Sequence, residues 1–296
     1  MNRVAFLSSS DMLVDHPARR PDFWELDLEY VPLRAACAER GVALELVVWD
    51  DPAFDPSQFD AAVVATTWDY AKKLDAFLAV LDRTERSTLL LNPAEVVRWN
   101  VDKRYLAELE ERGAAVVPTL WCERADAASI ELGFEHFGTD ELVVKPVVGA
   151  AAWRQARVRR GEPLPAPSEL PPARAMVQPF LAAAADEGEY SFVFFGGAFS
   201  HAVLKVPAAG DYRVQSMYGA RERAHVPSDA DLALARSVLA HVEADLLHAR
   251  VDLVRGDDGT LRVMELELVE PYLYPEQGPE LGRVFADALV ARLRRG

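Results

Sequence analysis

From residue 3 to residue 92 the chain alternates short apolar runs with stretches whose apolar residues recur at helical spacing, and this alternation narrows the fold more than any other feature. Residues 3–8, VALELVVW (42–49), AAVVATT (61–67) and STLLLN (87–92) read as strands. Between them, residues 30–40, stopped by Gly41, and AKKLDAFLAVLDR (71–83) read as helices. Strands that are apolar throughout are covered on both faces, so the pattern predicts a mostly parallel sheet flanked by helices. Ligands of such sheets gather at the carboxyl ends of strands. TTWDY (66–70) lies at such an end, which makes Trp68, Asp69 and Tyr70 candidate substrate contacts, and either Asp69 or the distant Glu270 is suited to an ammonium. Ser10, Asp11 and Asp15, after the first strand, are weaker candidates.

Beyond Asn92-Pro93, a helix start, a second helix is predicted over 102–113, a strand over AVVPTLW (115–121), a helix over 125–137 and a strand over ELVVKPVV (141–148). GEPLPAPSELPP (161–172) is too rich in proline for regular structure. The chain then turns strand-rich: residues 174–181, EYSFVFFGGAFSHAVLKVP (189–207) with a hairpin at Gly196-Gly197, and residues 248–270. Helices are predicted over 229–246 and 279–294.

Charge excludes some partners. Lys plus Arg total 32 against 47 Asp plus Glu, a net charge of −15, which argues against non-specific binding to nucleic acid or anionic membranes. No apolar run reaches membrane length and the N-terminal one spans only residues 4–7, so a cytoplasmic protein is expected. Cys37 and Cys122 show no metal-binding spacing.

In VMELELVEPYLYP (263–275), Met264, Leu266 and Leu268 recur at period two and Glu265 and Glu267 occupy the other face. At a rise of ~3.3 Å per residue the two glutamates sit about 7 Å apart. Like charges that close repel and resist burial, and a divalent cation would remove the conflict. The preceding segment, RVDLVRGDDGTLRV, contains Asp258-Gly259, a preferred pair for a two-residue hairpin turn. That turn would set Asp252 directly opposite Glu265, whereas a shift of one residue would send Asp252 to the other face. Three such carboxylates suit Mg²⁺ or Mn²⁺, and Mg²⁺ completes its shell with water and substrate phosphates. A solvated acidic strand face is the plain alternative.

The chain has no GxxxxGK[ST], no GxGxxG after a strand, no HExxH and no GxSxG. Candidate cations for a phosphorylated ligand are Lys103 in WNVDKRYL, Lys145 in LVVKPVVGAA, Lys205 in SHAVLKVP and Arg213 in GDYRVQ. A lysine inside an apolar strand, as Lys145 is, needs a charged partner or gives up its proton. For Lys103 a solvated helix face is the default reading, and for Lys205 a snorkelling side chain is a fair contender.

In their order, WNVDK, VVKPVVGAA, MVQPFL, GDYRVQ, RVDLV and MELELVEP resemble the ATP-grasp superfamily, from about residue 92 to the C-terminus. TTWDY, WNVDKRYL, GEYSFVFF, SHAVLKVP and GDYRVQ further resemble its glutathione-synthetase-like subgroup that contains the O-ureidoserine cyclo-ligase, which forms cycloserine. The resemblance implies an α/β and α+β chain: a parallel-sheet, pre-ATP-grasp domain (1–98) on the substrate side, a small lid lobe (99–182) and a C-terminal catalytic lobe (183–296). It implies ATP and Mg²⁺ as cofactors. Lys103 and Lys145 would contact the phosphates, Lys145 also reaching toward adenine. Gln178, Phe180 and Leu181 would border adenine, and either Glu187 or Glu189 would hold the ribose. Arg213, with Lys205, would act on the transferring phosphoryl group, and Asp252, Glu265 and Glu267 would hold the metal. Two departures stand out: the family often has asparagine where Glu267 stands, and the loop after Lys145, VVGAAAW, is short of glycine.

The implied reaction joins a small-molecule carboxylate to an amine through an acyl phosphate, within one molecule in the cyclo-ligase case. Residues 147–153 and the proline-rich loop are candidate lids, and Glu270, Tyr272 and Tyr274 candidate substrate contacts. Dimers are common among such ligases, so a homodimer is the analogy. Two other readings compete. A two-carboxylate, metal-dependent hydrolase leaves Lys145 and Arg213 idle, and glycosidases set their pair across a substrate. A non-catalytic nucleotide-binding module needs fewer groups than Arg213 and three acids.

Overall fold

The computed structural model describes residues 1–150 and 152–295. Among these residues the α-helices are α1 (Glu25–Glu39), α2 (Leu74–Ser87), α3 (Ala94–Asn100), α4 (Tyr105–Glu111), α5 (Ala127–Phe137), α6 (Ala182–Asp186), α7 (Asp229–Ala240) and α8 (Leu281–Leu293). None is long and apolar enough to cross a membrane.

The first sheet is wholly parallel, as the apolar strands require: β1 (Asn2–Ser8), β2 (Val42–Val48), β3 (Ala61–Val64) and β4 (Leu89–Leu91), in the order β2-β1-β3-β4. Alternate residues of β1 serve opposite cores. Val4 and Phe6 pack with Leu33 and Cys37 of α1 and with Phe285 and Leu289 of α8, whereas Ala5 and Leu7 pack with Phe77 and Leu81 of α2. α1 starts five residues before the predicted position and runs through Pro32, which brings Glu25 and Glu29 onto the helix.

The second sheet is antiparallel: β5 (Leu120–Cys122), β6 (Glu141–Pro146), β7 (Ala156–Arg159) and β8 (Ala175–Pro179), in the order β5-β8-β6-β7. Ile130 and Phe134 of α5 cover one face. The strand predicted over 115–121 is split at Pro118, which has no N–H to give a ladder. Val116 instead bridges to Val263, and β5 begins at Leu120.

The third sheet is antiparallel, with the order β11-β10-β9-β12-β13 built from β9 (Glu189–Phe195), β10 (Ala198–Val206), β11 (Arg221–His225), β12 (His248–Arg255) and β13 (Leu261–Glu267). One face, with Phe192, Phe194, Val251 and Leu253, packs on α4 and α7. The opposite face is divided. Val193 and Phe195 meet α8, while Glu189, Ser191, Arg250 and Asp252, at alternating positions of the same two strands, are buried and polar. Gly188, at φ 109°, permits this end of β9: a Cβ there would lie 2.2 Å from the Lys205 carbonyl oxygen.

The β12–β13 hairpin corrects the predicted turn. The loop is Asp257–Asp258–Gly259, closed by Gly256 N–H donating to the Thr260 carbonyl at 2.8 Å, with Gly259 in the left-handed region. This longer loop moves the register by one residue, and a bulge at Met264 moves it back, so that Asp252 faces Glu265 and Arg250 faces Glu267. The bulge also takes Met264 off the core face that Leu266 and Leu268 share; it packs with Val117, Leu181 and Val254.

Candidate active site

The polar end of the third sheet opens on a cavity that it shares with the second sheet, with the segments that follow β1 and β3 of the first sheet, and with the segment after β13. At its centre, Asp252, Glu265 and Glu267 each present a carboxylate oxygen, and these oxygens lie within 4.8 Å of one another. Hard oxygen donors so grouped fit Mg²⁺ or Mn²⁺.

Every one of these acids also meets a side-chain cation. Arg250 grips the buried Asp252 with two parallel bonds, Nε to Oδ1 at 2.9 Å and Nη2 to Oδ2 at 2.8 Å, and donates to Glu267 and to the Tyr272 carbonyl. Ser191 adds a 2.5 Å bond to Asp252, and Lys205 stands 3.6 Å away. Burial raises the cost of the Asp252 charge, but Arg250 and Lys205 outweigh it and hold the carboxyl down at about 2. Lys205 pairs with Glu189; burial lowers its pKa, and Asp252 and Glu189 reverse the effect and raise it. Lys103, in the turn between α3 and α4, pairs with Glu265 at 2.9 Å and donates to the Gly149 carbonyl at 2.7 Å.

Lys145 lines the same cavity and carries no ion pair among the described residues. Burial lowers its pKa, against the pull of Glu265 and Glu189. It therefore lines the cavity with no carboxylate partner among the described residues, and a bound anion would supply one. Gln178, Phe180 and Leu181 line the cavity at this end. The Gln178 amide is fixed by donating to Thr119 at 2.9 Å, and Phe180 carries the Arg157 guanidinium 3.5 Å from its ring centroid. Arg213 reaches the cavity from the loop after β10, stacked 3.7 Å over Tyr218 and bonded to Asp211 at 2.7 Å.

At the opposite end stand Trp68, Tyr70, Glu270, Tyr272 and Tyr274. The Trp68 indole N–H donates to the Glu270 carbonyl at 2.9 Å, and burial pushes the Glu270 carboxyl up to about 8 although Lys103 pulls it down. Glu25 also lines this end; it accepts from Ser216 at 2.6 Å, and burial pushes it up to about 7.

Two expectations are corrected and one open choice is narrowed. Asp69 is buried and does not line the cavity; its two oxygens accept from the Trp49 indole at 2.7 Å and from Lys73 at 2.9 Å, so it faces protein groups and not the substrate space. Glu187 is turned outward into Arg255 and Tyr190, and Glu189 is the one of that pair in the cavity. The proline-rich loop does not line the cavity; Leu170 is buried against Phe134 instead. Ser10, Asp11 and Asp15 also lie outside it. Of the small-residue loop, Gly149, Ala150, Ala152 and Trp153 line the cavity, and Ala151 lies outside the described residues.

Arg250 is the principal residue that sequence reasoning missed. Its signal was present: it shares the period-two face of Asp252, and the register that puts Asp252 opposite Glu265 puts Arg250 opposite Glu267.

Comparisons with known proteins agree with this architecture. Residues 4–92 match the family model described as D-cycloserine synthetase DcsG, N-terminal domain. The cycloserine biosynthesis protein DcsG of Streptomyces lavendulae is 34% identical over 294 residues, covering 91% of this chain and 95% of that protein. The chain superposes on the crystal structure of D-cycloserine synthetase DcsG with a TM-score of 0.85 and 29% identity, covering 98% and 99% of the two chains. The ATP-grasp ligase PsnB, complexed with a phosphomimetic variant of its minimal precursor, Mg and ADP, shares the fold with a TM-score of 0.66 at 18% identity over 98% of each chain.

Proposed function

The chain belongs to the DcsG family of ATP-grasp ligases, and on that premise we propose that it joins an amine to a carboxylate through an acyl phosphate, closing a ring within one amino-acid-like substrate. The observation that carries this reading is the meeting of three carboxylates with Lys103, Lys145 and Arg213 around one cavity. Binding alone would not need so many charges of both signs, and a hydrolase would leave the cations without work.

The chain's residues divide the chemistry. Gln178, Phe180 and Leu181 take the adenine, and Glu189 the ribose side. Lys103 and Lys145 hold phosphate oxygens. Asp252, Glu265 and Glu267 would hold a divalent cation, which would supply charge neutralisation to the phosphates. Arg213 offers a planar fork that matches the phosphoryl group as the substrate carboxylate attacks the γ-phosphorus. Lys205 stays protonated beside Asp252 and Glu189, and places a second positive charge at the same centre. An amine then displaces phosphate from the acyl phosphate. That intermediate hydrolyses in water, so the loop after Lys145 acts as a cover. Glu270 and Trp68 line the substrate end. The units 1–98, 99–182 and 183–296 serve as substrate side, lid lobe and catalytic lobe.

The experiment is a phosphate-release screen with ATP, Mg²⁺ and a panel of amino acids that includes O-ureidoserine. Release of ADP and phosphate with formation of a cyclised product supports the reading. ATP binding with no turnover on any carboxylate would replace it with a binding module.

A further inference from the structure

Each of the three central acids is held by a cation, but the three cations are not equally fixed. Arg250 and Lys205 sit in strands with side chains only 7% and 4% exposed, and each serves further partners, the Tyr272 carbonyl and Glu189 respectively. Neither can leave without stranding a buried carboxylate. Lys103 comes from a turn, its pair with Glu265 is the most open of the set at 15% and 30% exposure, and its other side-chain partner among the described residues is a neutral carbonyl, that of Gly149.

We propose that the Lys103–Glu265 pair is an exchangeable lock that makes divalent-cation binding conditional on the nucleotide. This rests on the metal and phosphate roles assigned above. The ammonium occupies, at Glu265, the charge position that the metal needs. A divalent cation arriving alone must displace it, and the other acids near Lys103 are poorly placed to receive it: Glu267 is held by Arg250, and Glu270 forms no ion pair with Lys103 among the described residues. The carbonyl of Gly149 satisfies one N–H and none of the charge, so a confined ammonium would be left beside a dication. A triphosphate supplies the missing acceptor. Lys103 then exchanges carboxylate for phosphate, and Glu265 exchanges ammonium for metal. Removing Lys103 must therefore act on the two ligands with opposite signs, weakening the nucleotide and tightening the metal alone.

The test is titration of the nucleotide-free protein with Mn²⁺, read from the free-ion paramagnetic resonance signal, in the wild type, Lys103→Met and Lys103→Arg. Lys103→Met is expected to bind Mn²⁺ at least about tenfold tighter than the wild type, and Lys103→Arg, which keeps the charge, to stay near it. A non-hydrolysable ATP analogue is expected to bind Lys103→Met more weakly. A triphosphate chelates Mn²⁺ unaided, so the sign of the nucleotide-free change is the decisive readout. If Lys103→Met binds Mn²⁺ no tighter than the wild type, while calorimetry shows the analogue binding the wild type more tightly with Mn²⁺ than without it, the lock is overturned and the ligase reading stands. If the analogue binds the wild type equally well with and without Mn²⁺, the metal assignment falls and the lock with it. Should Lys103→Met lose its cooperative melt, Lys103→Gln, which keeps a donor for Gly149, carries the same expectation and the same overturning results.

Discussion

Lys205 lies directly opposite Glu189 on the paired strands β10 and β9, and the two side chains form an ion pair with exposures of 4% and 6%. A pair this deep leaves an uncompensated charge when one partner goes, a loss of about 3–5 kcal/mol. Glu189→Ala and Lys205→Ala are each expected to show that loss in denaturant unfolding. The double change Lys205→Met with Glu189→Leu should recover most of the stability, because apolar residues of similar volume can replace such a pair. ADP formation should stay lost in the double variant. Retained turnover there would reduce the pair to a structural role.

Arg213 differs in kind, since it reaches the cavity from a loop and is partly exposed. Its guanidinium is pre-aligned by Asp211 and by the Tyr218 ring. Arg213→Ala is expected to lower kcat by about 10²–10³-fold with a smaller change in nucleotide affinity. Arg213→Lys should fall between, supplying charge without the fork. Equal losses in kcat and nucleotide binding would contradict a role confined to the transition state.

Much of this arrangement was legible in the chain, and the failures have physical causes. The parallel sheet followed from apolar strands, the two glutamates of the acid trio from period-two spacing on β13, and Asp252 from the hairpin that joins β12 to it. The hairpin register came out right at Asp252 through two opposed departures, a longer loop and the bulge at Met264. A bulge has no composition signal, so only its consequence was readable. Glu25 was hidden because Pro32 discourages extending a helix across it, yet α1 runs through. Asp69 was misassigned because a strand end fixes where a side chain starts but not which neighbour takes it, and Trp49 and Lys73 took it. Choosing between Glu187 and Glu189 needed Arg255, a partner 68 residues away.

Glu265 offers the cleanest test of the metal site. Asp252 is tied to Arg250 and Ser191, so replacing it disturbs the sheet as well. Glu265 has 30% exposure and a single cation partner. Glu265→Gln is expected to destabilise the fold less than Asp252→Asn in the same unfolding measurement, while the Mg²⁺ concentration needed for half-maximal ADP formation rises at least about tenfold. Chelation should abolish wild-type turnover, and added Mg²⁺ or Mn²⁺ should restore it. Unchanged metal dependence in Glu265→Gln would remove this residue from the ligand set.

Stability should depend on pH through the acids under the substrate end. Among the described residues Glu29 accepts one bond, from the Leu273 N–H at 3.1 Å, and its second oxygen is buried with no hydrogen-bond partner. Burial pushes its carboxyl from the ordinary 4.5 up to about 8. Between those values the folded chain keeps a proton that the unfolded chain releases, so stability falls as pH rises through the window. Glu25, pushed up to about 7, and Glu270, pushed up to about 8, act in the same direction. Glu29→Gln removes one of these protons from the balance. Its unfolding free energy should therefore decline less steeply than that of the wild type from pH 5 to pH 8, by about 1.4 kcal/mol for each pH unit in which Glu29 alone differs between the two states. Urea unfolding at several pH values measures this. Parallel curves for the two proteins would mean that Glu29 is already ionised in the fold, with a counter-charge reaching it through the chain.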